Sequence, residues 1–303
     1  MTGTVLILGP SGKIGTHAIR AFEARGWTIR RYLRGTDMTA AAQGVDVIVN
    51  GLNPPNYHDW TNQIPAITRQ VIAAAKASGA TVIIPGNVYV YGETGGIWDE
   101  TTPHRATTRK GRIRIEMEKA YRASGVRTII LRAGNFIDPD RNGDIFKVIT
   151  LPDTERRKIT SPGDPGAMQS WIWLPDWARA AEQLAQKRDD LSPFEDVPMP
   201  GFSFSHDDLA ERLTALTGTR YSIKGFPWFV MRLASPFWEL AREVLEMRGL
   251  FSTPHRLGSA KFDQLLPDFR ATPLDEVLTR RVLEAQVDPD HAVRAGRKAV
   301  FAK

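Results

Sequence analysis

The segment Gly9-Pro10-Ser11-Gly12-Lys13-Ile14-Gly15 constrains this chain most, because its three glycines sit between an apolar run, Thr4 to Leu8, and a stretch of helical spacing, Ile14 to Arg25. Glycine lets a backbone turn tightly and come close to another group. A tight turn into a helix also leaves the first helical amides free and their positive end facing outward, which suits a pyrophosphate. Loops collect glycine for turns alone, so the triplet by itself is weak; the strand before it and the helix after it supply the context that an anion-binding loop requires. Gly9, Ser11, Gly12, Lys13, Ile14 and Gly15 are therefore candidate dinucleotide-binding residues.

The pattern continues through the first half of the chain. Trp27 to Tyr32, Val45 to Val49, Thr81 to Pro85 and Thr128 to Leu131 read as strands, with helical spacing over Ile64 to Ser78 and Arg112 to Ser124. Apolar strands alternating with helices imply a parallel sheet covered on both faces, since each strand must cross back over a helix to pair in parallel. The expected fold class is α/β, a doubly wound parallel sheet (Rossmann fold) with a smaller, mainly helical C-terminal substrate part. The dinucleotide domain is expected over residues 1–165. Residues 166–303 form the smaller part, interleaved with the sheet, with a Trp-rich strand Ser170 to Leu174 and helices from Asp176, over Ser205 to Thr217 and over Pro273 to Gln286.

The end of the second strand bears on cofactor choice. An NAD enzyme usually carries an acid there for the ribose 2′-hydroxyl, whereas this stretch reads Arg30-Arg31-Tyr32-Leu33-Arg34, with no acid before Asp37. Arg34, assisted by Lys13, is expected to meet a 2′-phosphate, giving a preference for NADP(H) over NAD(H). Asp46 is expected to border the adenine pocket, and Asn50, Gly51 and Leu52 to pass close to the cofactor.

Composition excludes other classes. A chain of 303 residues with 42% hydrophobic content can bury a full core. The net charge of +6 is spread along the chain without the clustering of a nucleic-acid surface. Absence of cysteine removes disulfides, thiolate metal sites and cysteine nucleophiles. The amino terminus lacks the pattern of a signal peptide, so a cytoplasmic protein is expected. The aromatic stretch Phe226 to Phe251 is broken by Arg232, Pro236, Glu239, Arg242 and Glu243 and is not expected to span a membrane.

Six segments in this order, GPSGKIG, VDVIVNG, NVYVYG (Asn87 to Gly92), LRAGNFI (Leu131 to Ile137), WIWLPDWARA (Trp171 to Ala180) and FRATPLDEVL, resemble the short-chain dehydrogenase/reductase superfamily in its extended NAD-dependent epimerase/dehydratase branch. The resemblance implies a nucleotide-sugar or similar polar substrate. It also implies a catalytic Ser or Thr after the fourth strand and a Tyr-x-x-x-Lys on the next helix. Here the serine position holds Asn87, and that register falls on Thr108 to Arg112, so the trio is absent. Lys110, followed by Ile113-Arg114 and Glu118, is similar to the atypical reductases related to isoflavone and benzylic-ether reductases, in which one lysine transfers the proton. Lys110 shares the apolar stripe of Ile113, Met117, Ala120 and Tyr121, whereas Arg112 points away. In a half-buried cleft its pKa would fall toward neutrality.

Tyr89 is the candidate auxiliary hydrogen-bond donor, and Tyr91, Asn135 and Phe136 are expected to border the substrate. No metal is expected: the stretch Asp138 to Gly143 imitates a calcium loop but ends on Ile149 rather than a bidentate Glu, and the six histidines lack ligand spacing. Trp171, Trp173 and Trp177 are assigned to the core. The sequence thus points to an NADP(H)-dependent oxidoreductase or epimerase-like enzyme acting on a carbonyl or carbinol of a small molecule, with a homodimer left open. The alternative is a non-catalytic NADP(H) sensor.

Overall fold

The computed structural model describes residues 2–140, 143–152 and 156–284. In chain order the first half runs β1 (Thr4–Leu8), α1 (Lys13–Glu23), β2 (Thr28–Arg31), α2 (Met38–Ala41), β3 (Val47–Asn50), α3 (Trp60–Ser78), β4 (Thr81–Gly86), β5 (Gly96–Trp98), α4 (Arg109–Ser124), β6 (Thr128–Arg132) and β7 (Asn135–Ile137). The second half adds β8 (Lys158–Ser161), β9 (Gln169–Trp173), α5 (Leu174–Gln186), β10 (Phe194–Pro198), β11 (Phe202–Phe204), α6 (His206–Thr217), β12 (Ser222–Gly225), α7 (Trp228–Ala234), α8 (Glu239–Leu245), β13 (His255–Leu257), α9 (Ala260–Leu265) and α10 (Leu274–Leu278).

Six parallel strands form the central sheet in the order β2-β1-β3-β4-β6-β10. Alternation along each strand sends successive side chains to opposite faces. Val5, Ile7, Val47, Val49, Ile83, Ile129 and Leu131 pack on one face with Phe22 of α1 and Trp177, Ala181 and Leu184 of α5. Leu6, Leu8, Ile48, Val82, Ile84 and Ile130 pack on the other with Ile64 and Val71 of α3 and Met117 and Tyr121 of α4. Strands buried on both faces read as continuous apolar runs, which is why they were legible in the sequence.

The final strand, β10, and α5 both come from beyond residue 165, so the sheet layer draws on both parts of the chain. The remaining strands form small satellite sheets, β11-β9-β7, β12-β8 and β13-β5. Trp171, Trp173 and Trp177 are buried, at 2%, 2% and 0% exposure, as core residues. The expected last helix divides into α10 and a π-helical turn Thr279–Glu284, and its end at Gln286 lies outside the described residues.

Candidate dinucleotide and active site

From β1 the chain moves first to one neighbour, β2, and then to the other, β3, so a crevice opens between the loops after β1 and β3. Both loops are glycine there for steric reasons. Gly9 has φ +72, a conformation side chains rarely adopt. A Cβ on Gly15 would lie 2.2 Å from the Gly9 carbonyl oxygen, and one on Gly51 would lie 2.9 Å from that of Leu8. Three backbone segments thus pack directly on one another. The Gly12 amide donates to the Gly9 carbonyl at 2.9 Å, closing the turn. Gly12 then caps α1 with no side chain bonded to the helix end, and the first turn contains no acid. A helix end without a side-chain cap or an acid, and the room above Gly12, fit a pyrophosphate. Ser11 is exposed at the tip of this loop, while Ile14 packs inward against the core.

A cavity of about 570 Å³ adjoins this crevice, between the segment after β2 and the loop after β3, with Tyr32, Arg34, Thr36, Leu52, Asn53 and Ile67 among its walls. Arg30 donates to the carbonyls of Ala41 and Gln43 at 2.9 and 2.6 Å, and Arg31 reaches Glu23 at 3.4 Å. Of the three arginines, Arg34 is the one that faces the cavity. Asp37 shares that wall, but its Oδ1 accepts the Thr39 and Ala40 amides at 2.8 and 3.3 Å and caps α2.

Two expectations are corrected here. Asp46 does not border this cavity: its Oδ2 accepts the Thr4 amide at 2.7 Å at the amino end of the sheet, opposite the ligand edge. Lys13 does not stand beside Arg34; its Nζ lies 3.7 Å from where a Gly143 Cβ would be, on the loop after β7.

Asn50, Gly51 and Leu52 continue the crevice floor. Asn50 Oδ1 accepts the Leu52 amide at 3.1 Å and its Nδ2 donates to the Tyr121 hydroxyl at 3.4 Å, so the side chain fixes the loop. After β4, Asn87 Oδ1 accepts the Tyr89 amide at 3.1 Å, and the Tyr89 hydroxyl meets that of Tyr57 at 3.2 Å. Burial raises the pKa of both phenols, so both stay protonated near neutral pH.

Lys110 occupies a different setting from the one expected. It is fully buried, on the inward stripe of α4 with Met117 and Tyr121, and Ala120 of that stripe is exposed. Its Nζ donates to the Glu243 carbonyl at 3.0 Å and to Glu246 Oε2 at 2.5 Å, and pairs with the Glu243 carboxylate. An ammonium with three such partners has no hydrogen left for a substrate. Glu243 is held below the usual carboxylate range: burial works against this, and the bonds from Lys110 and Arg109 outweigh it. Both acids lie in or just beyond α8, so Lys110 anchors α8 to α4.

Tyr91 is also corrected. It is buried, stacked on Trp98 at 4.9 Å, and its hydroxyl donates to the Asp99 carbonyl at 3.1 Å, which leaves it no route to a substrate. Phe136 packs edge-on against Trp177 at 6.2 Å, while Asn135 stays half-buried at the start of β7. The Asp138 stretch is tied to α1, with His17 Nε2 2.9 Å from Asp138 Oδ1 and Arg20 paired to Asp140; Arg141 and Asn142 lie outside the described residues.

Sequence reasoning missed three residues beside Tyr89. Arg114, one turn after Lys110, donates to Asn53 Oδ1 at 2.8 Å and lies over the Trp60 ring at 4.6 Å, with a buried Nε that has no hydrogen-bond partner. Burial lowers its pKa, though Tyr89 and Glu118 oppose that. Tyr57 and Asn53 complete the group from the loop after β3, which no motif marks. Beneath it, fully buried Arg132 joins Glu118 and Asp196 in paired bonds of 2.6 to 3.1 Å and donates to the Asn87 carbonyl at 2.6 Å.

No protein-family model and no curated protein matches the chain. Solved structures do. MoeE5 in complex with UDP-glucose and NAD has a TM-score of 0.73 at 16% identity, with 95% of this chain and 100% of that one covered. A nucleoside-diphosphate-sugar epimerase from Staphylococcus aureus gives 0.67 at 19% identity, covering 91% and 99%. DesIV, the dTDP-glucose 4,6-dehydratase from Streptomyces venezuelae with NAD and TYD bound, gives 0.70 at 15% identity, covering 94% and 97%. The chain therefore has the Rossmann fold of these sugar-nucleotide epimerase and dehydratase structures.

Proposed function

We propose that this protein is a cytoplasmic, NADP(H)-dependent oxidoreductase or epimerase-like enzyme acting on a carbonyl or carbinol of a small, nucleotide-sugar-like substrate. The glycine cradle at the β1/β3 crevice, which meets at Leu52 the cavity that Arg34 lines, carries this reading. Gly9, Ser11, Gly12, Ile14 and Gly15 hold the pyrophosphate, Arg34 meets the 2′-phosphate, and Asn50, Gly51 and Leu52 flank the bound nucleotide. Bound nicotinamide supplies or accepts hydride. The substrate class is carried over from the UDP-glucose and TYD complexes of the structural neighbours.

For the proton, Tyr89 takes the role first expected of Lys110. Its protonated hydroxyl can donate to a substrate oxygen, Tyr57 orients it, and the Arg114 charge draws its pKa down against burial. Asn87 holds the Tyr89 backbone in place, and Asn135 is the polar group on the substrate side. Incubation with NADPH and a panel of carbonyl compounds, read by loss of nicotinamide absorbance, tests this: Tyr89→Phe should cut turnover by about 10²- to 10⁴-fold with NADPH affinity kept. The second reading, a non-catalytic NADP(H) sensor, draws on the saturated Lys110. It wins if NADPH binds and no carbonyl compound is reduced.

A further inference from the structure

Helices α7 and α8 carry an apolar surface that the proposed reaction does not use. Phe229, Val230 and Leu233 of α7 are 69%, 42% and 73% exposed, and Phe237 and Trp238 of the connecting turn are 95% and 48% exposed. α7 buries none of its residues completely. It is fastened from its inner side, where Trp228 Nε1 donates to the Pro162 carbonyl at 2.7 Å and the ring lies 6.3 Å from Phe251. The aromatic and aliphatic side chains therefore project from a fixed platform.

The sequence that leads into this surface carries charge of one sign. From Arg212 to Trp238 the sequence contains no Asp or Glu, while Arg220, Lys224 and Arg232 are all exposed. Arg212 is paired with Asp275 and is not part of the patch. The acids that follow are engaged elsewhere, Glu239 with His58 and Glu243 with Arg109 and Lys110. No helix among the described residues is long and apolar enough to cross a membrane.

We propose that the α7–α8 turn is a docking surface for an anionic lipid bilayer, with Phe229, Leu233, Phe237 and Trp238 entering the headgroup boundary and Arg220, Lys224 and Arg232 meeting lipid phosphates. Short amphipathic elements with Trp, Phe and Leu on one side and Lys or Arg beside them bind bilayers in this way. A second copy of the chain fits less well, because a two-fold contact centred on this patch would bring its cations together.

Sedimentation of the full-length protein with vesicles tests the proposal, comparing phosphatidylcholine alone with a mixture containing phosphatidylglycerol. The protein should pellet with the mixed vesicles and stay in solution with the neutral ones. Phe229→Ser combined with Phe237→Ser should abolish pelleting, and Lys224→Gln and Arg232→Gln should each weaken it about fivefold, the contribution of one basic residue near an anionic surface. Thermal unfolding should be unchanged in all three variants, since the side chains are exposed. Absence of vesicle binding overturns the proposal. So does a dimer that Phe237→Ser dissociates, which would assign the patch to a second copy, and so does pelleting that the double serine variant retains.

Discussion

Lys110 and Glu246 are clamped at two points: the ammonium lies 2.5 Å from Glu246 Oε2, and the Lys110 backbone amide donates to Oε1 of the same carboxylate at 2.9 Å. One acid from the end of α8 thus holds both the side chain and the backbone of the first turn of α4. Breaking a buried pair by removing one partner strands the other charge, at about 3 to 5 kcal/mol when both are enclosed. Glu246 keeps some contact with solvent and Arg109 remains near both acids, so Lys110→Met should lose roughly 3 kcal/mol by urea denaturation. Adding Glu246→Leu should recover part of the loss. Parent-like stability with lost turnover would restore a catalytic role to Lys110.

The glycines of the cradle should separate cleanly by variant. A Cβ at Gly12 would lie 3.2 Å from the Gly9 carbonyl oxygen and 4.0 Å from that of Gly51, whereas one at Gly15 would sit 2.2 Å from the Gly9 oxygen. Gly12→Val should keep a near-parental thermal midpoint and lose dinucleotide binding, because its side chain takes the space above the helix end. Gly15→Val should lower the midpoint as well. Circular dichroism with cofactor titration distinguishes the two, and retained affinity in Gly12→Val would mean the loop is only a turn.

Two buried histidines should make the fold acid-sensitive. His206 and His255 are each pushed down to about 4 by burial. Above pH 6.5 both states are neutral and the shift contributes nothing; below it the unfolded chain takes up protons that the folded chain refuses. Stability should therefore fall from pH 6.5 toward 4, by about 3 kcal/mol for each histidine. Urea midpoints at pH 7 and 5 measure this, and His206→Gln should flatten the slope. An unchanged slope would contradict the assignment.

Arg132 should behave as a strut under the site. Arg132→Met leaves Glu118 and Asp196 buried without their cation and should cost about 3 to 5 kcal/mol in chemical denaturation. Arg132→Lys keeps the charge but not the forked geometry and should fall between. Loss below 1 kcal/mol in the Met variant would show that water reaches the acids.

What the sequence disclosed follows from where the physics is local. β1, β3, β4 and β6 and the cradle were legible because burial on both faces and close backbone approach each leave a mark within a few residues. β10 was not, since Phe194–Pro198 carries Glu195, Asp196 and Pro198, and its acids are neutralised by Lys261 and Arg132 from distant parts of the chain. Pro65 hid the start of α3, which in fact begins at Trp60. The spacing on α4 places Lys110 with buried Met117 and Tyr121, although Ala120 of the same stripe is exposed, but the partners of Lys110 lie more than 130 residues away, and only the fold brings Glu243 and Glu246 to it. Tyr57 meets Tyr89, and Asn53 meets Arg114, for the same reason.

The Gly9–Gly15 cradle and Arg34 together form the proposed NADP(H) site. Calorimetric titration of the purified protein with NADPH and with NADH tests it most directly. We expect one site per chain, tighter binding of NADPH, and a selective loss of about 1 to 3 kcal/mol for NADPH in Arg34→Ala, the range for a charge-assisted contact. Equal or tighter binding of NADH, or an Arg34→Ala variant that binds NADPH like the parent, would contradict it.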